Sequence, residues 1–170
     1  MGFLQLAKDR YSVRDFKPDP IEKEKFDLLL QAAQASPTAK NQQPQRIYAI
    51  TSQKGLETIR QITPCAFNAP CVLIMCVDTD GDWTNPYDNR HSGEIDISIV
   101  TSHVMFMAQE LGLGTTWVCY FDREKVKKAF DLPENIYPCT LLPIGYPSDT
   151  CTPSERHSIR RDPMEYLTML

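Results

Sequence analysis

The sequence predicts a single α+β domain over residues 1–170, and three observations lead there. A chain of 170 residues with 42% hydrophobic content can bury one substantial core and needs no second domain. Cys71 to Val77 is a continuous apolar run of strand length, the pattern of a strand covered on both faces. Gly93 to Leu111 reads as a long helix with apolar residues well around its cylinder, so it is buried on more than one side.

The other elements follow in order. Phe3 to Asp9 reads as a short helix, followed by an extended segment and a break at Pro18-Asp19-Pro20. Ile21, Lys25, Leu28, Leu29, Ala32 and Ala33 then recur at helical spacing up to about Ala35. That helix ends at Ser36-Pro37, because proline disfavours helical backbone in the residue before it. Arg46 to Thr51 alternates as a strand and Lys54 to Ile62 forms another helix. Thr79 to Ser92 is polar and irregular, a long loop with Trp83 and Tyr87 among Asp, Asn and Gly. In the long helix, Ile97, Val100, Val104, Ala108 and Leu111 make one stripe, widened by Ile95, Ile99, Met105 and Phe106. One side covers the sheet; the other meets a partner subunit or leaves the helix wholly internal. Gly112-Leu113-Gly114 stops it in a left-handed turn, Thr115 to Phe121 is a strand, and Asp122 caps a helix to about Phe130. Tyr137 to Tyr146 is the last strand, before a tail with Arg156, His157, Arg160 and Arg161 and an apolar stretch over 164–170.

Composition removes several function classes. A formal charge of -4 and a pI near 5.4 lack the basic excess of a nucleic-acid binder, so any anion site must be local. No signal peptide and no apolar run of membrane-spanning length is visible, which reads as a soluble cytoplasmic protein with no membrane partner. The six cysteines form no C-x-x-C pair, and His91, His103 and His157 are far apart, so no metal site is expected. Neither a phosphate-binding P-loop nor a G-x-S-x-G elbow occurs.

Two stretches carry chemistry. In an extended Arg10-Tyr11-Ser12-Val13-Arg14, residues two apart project together, so Arg10, Ser12 and Arg14 form one donor row suited to phosphate oxygens. The same row also fits a solvated basic strand beside Asp9 and Asp15. The second stretch is Ser36-Pro37-Thr38-Ala39-Lys40-Asn41-Gln42-Gln43-Pro44. Together they read as two halves of a phosphate-and-ring binding site.

With these motifs the chain resembles the nitroreductase family of FMN-dependent oxidoreductases over nearly its full length. The R-x-S-x-R row, the S-P-T-A-K-N-Q-Q-P stretch, the E-L-G-L-G-T-T-W turn and the closing R-R-D-P occur in the family's order and spacing. The resemblance implies a central, mostly antiparallel mixed sheet flanked by helices. It also implies a homodimer with the long helix at its interface and two FMN molecules shared between subunits. Carried over by residue, Arg10 and Ser12, in the row that includes Tyr11, would bind the flavin phosphate with Arg161 and Arg160. Arg14 would lie near the pyrimidine edge of the ring and favour its reduced state. Pro37, Thr38, Ala39 and Asn41 would reach the flavin of the other subunit, supported by Gln43. The backbone of Trp117, Val118, Cys119 and Tyr120 would run along the ring, with the Cys119 amide facing N5, so Arg14 and Cys119 are the expected catalytic positions. Trp83 and Tyr87 would form part of the substrate wall; the alternative is a surface loop.

The implied activity is a ping-pong reduction of a nitroaromatic, quinone or similar electron-poor small molecule by NAD(P)H. A flavin storage or sensor protein, and a specialised flavin chemistry such as reductive dehalogenation, are the alternatives. The chain departs from the family pattern in three places. No lysine occurs over Ile62 to Phe67, Gln45 stands at an often aromatic position, and glycine-rich or acidic residues are missing around Cys119.

Overall fold

The computed structural model describes residues 2–170; Met1 lies outside the described residues. Its centre is β2 (Cys71–Asp78), whose side chains alternate between two cores. Cys71, Leu73, Met75 and Val77 face Leu29 and Ala33 of α2 (Lys23–Gln34) and Ile97, Val100, Val104 and Ala108 of α4 (Gly93–Glu110). Val72, Ile74 and Cys76 face the opposite way, towards Leu56 and Ile59 of α3 (Gln53–Ile62) and Val126 of α5 (Arg123–Ala129). Helices on both faces are why β2 reads as unbroken apolar sequence. Burial pushes the thiols of Cys71 and Cys76 up to about 12, so both act as small hydrophobes.

The sheet runs β1 (Gln45–Ile50), β2, β4 (Ile136–Gly145), β3 (Gly114–Thr115), with every pairing antiparallel. The four strands thus form an antiparallel sheet, and one isolated parallel bridge, Ser12 to Thr115, lies beyond β3. A register shift at Met75/Cys76 falls opposite Pro138 to Thr140. Helix ends agree with the sequence reading to within about two residues. Asp122 accepts the Lys125 N–H at 3.1 Å, and Gly112 sits at φ +74, the left-handed stop that a Cβ would strain.

One expectation is corrected, and another gains detail. The strand expected over Thr115 to Phe121 is only two residues long in β3, followed by one bridge between Val118 and Leu141. Thr115 opposite Ile144 and Val118 opposite Leu141 keep one register, but Thr116 lies opposite Pro143. Thr116 donates to the Pro143 carbonyl at 3.2 Å, yet Pro143 has no N–H to return, so the ladder breaks there. The irregular loop over Thr79 to Ser92 is closed at its base like a hairpin. Thr84 bridges His91, Asn85 N–H donates to Arg90 O at 2.9 Å, and Ser92 N–H donates to Trp83 O at 2.8 Å.

The long helix is buried against the sheet and open on its other side. Together with α1 (Phe3–Asp9) it lines an apolar groove of about 830 Å³ that includes Phe3, Leu6, Ile99, Phe106 and Met107. Phe3 and Phe106 meet edge-to-face across it at 5.2 Å. Ile159, Met164, Tyr166 and Met169 of the tail are likewise exposed. No helix among the described residues is long and apolar enough to cross a membrane.

Candidate functional site

Arg10, Ser12 and Arg14 belong to an extended segment laid against β3. Val13 N–H donates to Thr115 O at 3.0 Å, and the Thr116 hydroxyl donates to Val13 O. Val13 turns into the core and is 1% exposed; the alternation leaves Ser12 and Arg14 on the outer side. Gly114 permits this approach, because a Cβ there would stand 2.4 Å from Val13 Cγ2. The Thr115 hydroxyl, beside Ser12, is buried without a partner among the described residues.

The tail folds back onto this segment. The Tyr11 hydroxyl donates to Cys151 O at 3.2 Å, its ring meets His157 at 6.3 Å, and His157 Nε2 donates to Lys8 O at 3.0 Å. These contacts bring Arg160 near Arg10. Burial first, and the Arg160 charge second, hold the Arg10 guanidinium below its ordinary value. Neither Arg10 nor Arg14, Arg160 or Arg161 forms an ion pair with a carboxylate among the described residues. Like charges brought together in this way repel, and an anion between them would relieve that repulsion.

Past the break at Pro143, Val118 anchors the next segment. It exchanges hydrogen bonds with Leu141 at 2.9 and 3.0 Å and buries its side chain. Trp117 is half-buried, with its indole N–H on Cys119 Sγ at 3.2 Å, while Cys119 and Tyr120 are exposed. Tyr120 O accepts the Thr63 hydroxyl at 2.6 Å. The Cys119 N–H has no partner among the described residues. Since Ser12 pairs with Thr115, the fold brings the donor row and the 117–120 backbone to one edge of the sheet.

The Pro37 to Gln43 loop lies elsewhere. Its Lys40, Asn41 and Gln43 have φ of 49, 57 and 53, an uncommon conformation for residues with a Cβ. Ties hold it there: Gln43 N–H donates to Thr38 Oγ1 at 3.0 Å and Gln43 Nε2 to Asn41 O at 3.2 Å. Ala39 N–H donates to Asp96 Oδ1 at 2.9 Å, in the first turn of α4. The donor row instead sits by β3, just past the other end of α4. From Asp96 to Glu110 the helical rise is roughly 20 Å. Within one chain, therefore, the structure separates the two stretches rather than assembling them.

Near the loop stands the 82–92 hairpin, with Trp83 half-buried at its base and Tyr87 at its tip 96% exposed. Asp82 is nearly buried and accepts from His91 Nδ1 at 2.9 Å. Ser92 donates to Asp96 Oδ2 at 2.8 Å and accepts the Trp83 N–H at 3.2 Å. Sequence reasoning missed Asp96 and Ser92. The available signal was an acidic residue beside Ile97 and four before Val100, on the stripe that faces the core. No cluster of metal-ligating side chains occurs among the described residues.

Known proteins agree with this architecture. The model of the nitroreductase family matches residues 7–68 and 62–146. A solved nitroreductase family protein from Clostridium difficile 630 is 38% identical, with a TM-score of 0.92 over 99% of this chain and 98% of that one. A candidate NADH dehydrogenase/NAD(P)H nitroreductase from Methanothermobacter thermautotrophicus is 28% identical over 88% of this chain and 79% of its own length. A candidate nitroreductase from Exiguobacterium sibiricum, solved in complex with FMN, shares the fold at a TM-score of 0.84 and 21% identity, over 100% of this chain and 98% of that one. The chain belongs to the nitroreductase family.

Proposed function

We propose that this chain is an FMN-dependent oxidoreductase that uses NAD(P)H to reduce an electron-poor small molecule such as a nitroaromatic or a quinone. The observation that carries the reading is the convergence of Arg10 and Arg160 without a counter-ion, one strand from the unpaired Cys119 N–H. The family relatives named as NAD(P)H nitroreductase and as an FMN complex support it.

The residues present fit the cofactor. Arg10, Ser12, Arg160 and Arg161 would hold the phosphate, and the orphaned Thr115 hydroxyl beside them would gain a polar partner. Bound FMN would supply the chemistry of hydride transfer from NAD(P)H to the acceptor. The Cys119 N–H would donate to the ring, and the Val118–Leu141 bonds keep that donor in place. Exposed Arg14, tied among the described residues only to Ser12 O at 3.2 Å, would put positive charge where the ring gathers electrons.

Two copies would complete each site. Pro37, Thr38, Ala39, Asn41 and Gln43 would contact the cofactor held by the partner, since their own donor row is a helix length away. The groove between α1 and α4 and the apolar tail would be covered in that homodimer. Trp83 and Tyr87 would line the acceptor wall. All six cysteines are free thiols, in keeping with a reducing cytoplasm.

The test is direct. Purified protein mixed with FMN should turn yellow with a flavin spectrum, run as a dimer, and consume NAD(P)H steadily when p-benzoquinone or a nitroaromatic is added. Protein that refuses FMN overturns the reading; protein that binds FMN without turnover leaves a flavin-binding protein in its place.

A further inference from the structure

We infer that Asp96 is a positioning residue that couples the Ala39 to Gln43 loop to the 82–92 hairpin, so that FMN bound at the loop also orders the acceptor wall. The inference rests on the flavin-binding reading of that loop. A continuous path runs through the buried carboxylate. Ala39 N–H donates to Oδ1 at 2.9 Å, the Ser92 hydroxyl donates to Oδ2 at 2.8 Å, and Trp83 N–H donates to Ser92 Oγ at 3.2 Å. Asp96 is 2% exposed, so losing either donor would leave a carboxylate oxygen buried without a partner.

Two features distinguish this path from ordinary helix capping. Ser92 occupies the N-cap position of α4, where a serine normally accepts a backbone N–H from the first turn. Here it makes no such cap bond. Its hydroxyl goes to Asp96 and its lone pair to Trp83, so the helix start forgoes a side-chain cap to join two other segments. Second, the tie to Ala39 falls immediately before the left-handed Lys40 and Asn41, where a loop with unfavourable backbone angles gains most from an anchor. The negative end of the link sits in the first turn of α4, where the helix favours it. Trp83 is held doubly, because its carbonyl also accepts the Ser92 N–H.

The experiment follows backbone hydrogen exchange and steady-state kinetics in the FMN-loaded protein and in Ser92→Ala, with p-benzoquinone as acceptor. In the wild type, FMN should slow exchange across both 39–43 and 83–93. Ser92→Ala should retain protection of 39–43 and FMN affinity within about twofold, lose protection of 83–93, and raise KM for the quinone about 3–10-fold, the worth of one hydrogen bond. Ser92→Thr, which keeps the hydroxyl, should restore both properties. Ser92→Gly is the second variant if Ser92→Ala does not fold. It also removes the hydroxyl, at an N-cap position that glycine tolerates well, and the same split is expected. Protection of 39–43 without 83–93 in the wild type, or unchanged hairpin protection and KM in the variants, overturns the coupling. FMN that binds without protecting 39–43 overturns the loop reading and the coupling together.

Discussion

In the Arg10 to Arg14 segment the backbone is relaxed and the side chains are in tension; in the Pro37 to Gln43 loop the reverse holds. The first is extended, laid on β3 by the Val13–Thr115 bond, and gathers Arg10 with Arg160 against their mutual repulsion. The second has three non-glycine residues in the left-handed region, pinned by Thr38 and Asp96. Repulsion among cations is relieved when an anion arrives, whereas backbone strain stays whether or not a ligand is bound. On the proposed function, most of the binding energy would come from the row and most of the shape from the loop.

The largest expected effect separates the row from its support. Gly114→Ala should cost about 1–3 kcal/mol, because the new methyl group would collide with Val13 and push the row away from β3. Denaturant unfolding would read the loss, and FMN affinity should fall with it; an unchanged midpoint would show that the row does not depend on close approach to β3. Arg10→Ala removes a charge while leaving the backbone in place. FMN should bind about 10–100-fold more weakly, the worth of a charge-assisted hydrogen bond, with the unfolding midpoint of the cofactor-free protein unchanged or raised. A drop in that midpoint would mean that the two arginines help hold the tail rather than await an anion.

The loop should answer differently. Thr38→Val keeps the side-chain volume but removes the acceptor for Gln43 N–H, at a cost of about 0.5–1.5 kcal/mol in unfolding free energy. If FMN affinity instead falls as far as in Arg10→Ala, the division between energy and shape is wrong. The smallest effect concerns Cys119. Burial holds Cys71, Cys76 and Cys139 up to about 12, so at pH 8 they remain unreactive thiols. Iodoacetamide should label exposed Cys119 before them, and FMN should slow that labelling severalfold, as read by mass spectrometry. Labelling indifferent to FMN would remove Cys119 from the cofactor's edge.

The same contrast explains what the amino-acid sequence made legible. β2 and α4 were plain because packing on two sides imposes long apolar patterns, and Gly112 and Asp122 marked ends by local chemistry. The early end of β3 was invisible because its cause, Pro143, belongs to the neighbouring strand. The donor row was legible as a motif, but the docking of Arg160 depends on Tyr11 meeting Cys151 and Lys8 meeting His157. The Asp96 link joins residues 57 positions apart, beyond any periodicity. Local and repetitive causes could be read along the chain; pairwise causes between distant segments could not.

That docking also has a consequence for biosynthesis. The hydrogen bonds that bring the tail to the donor row join residues 140 and 149 positions apart, so both sides of the proposed phosphate site exist only once the 150–161 segment has left the ribosome. A nascent chain carries Arg10 and Ser12 early, but this side of the proposed site is complete only after the whole sheet, which ends at Gly145, has been made. Capture of the cofactor would thus wait for the 150–161 segment and report that it has met Tyr11 and Lys8.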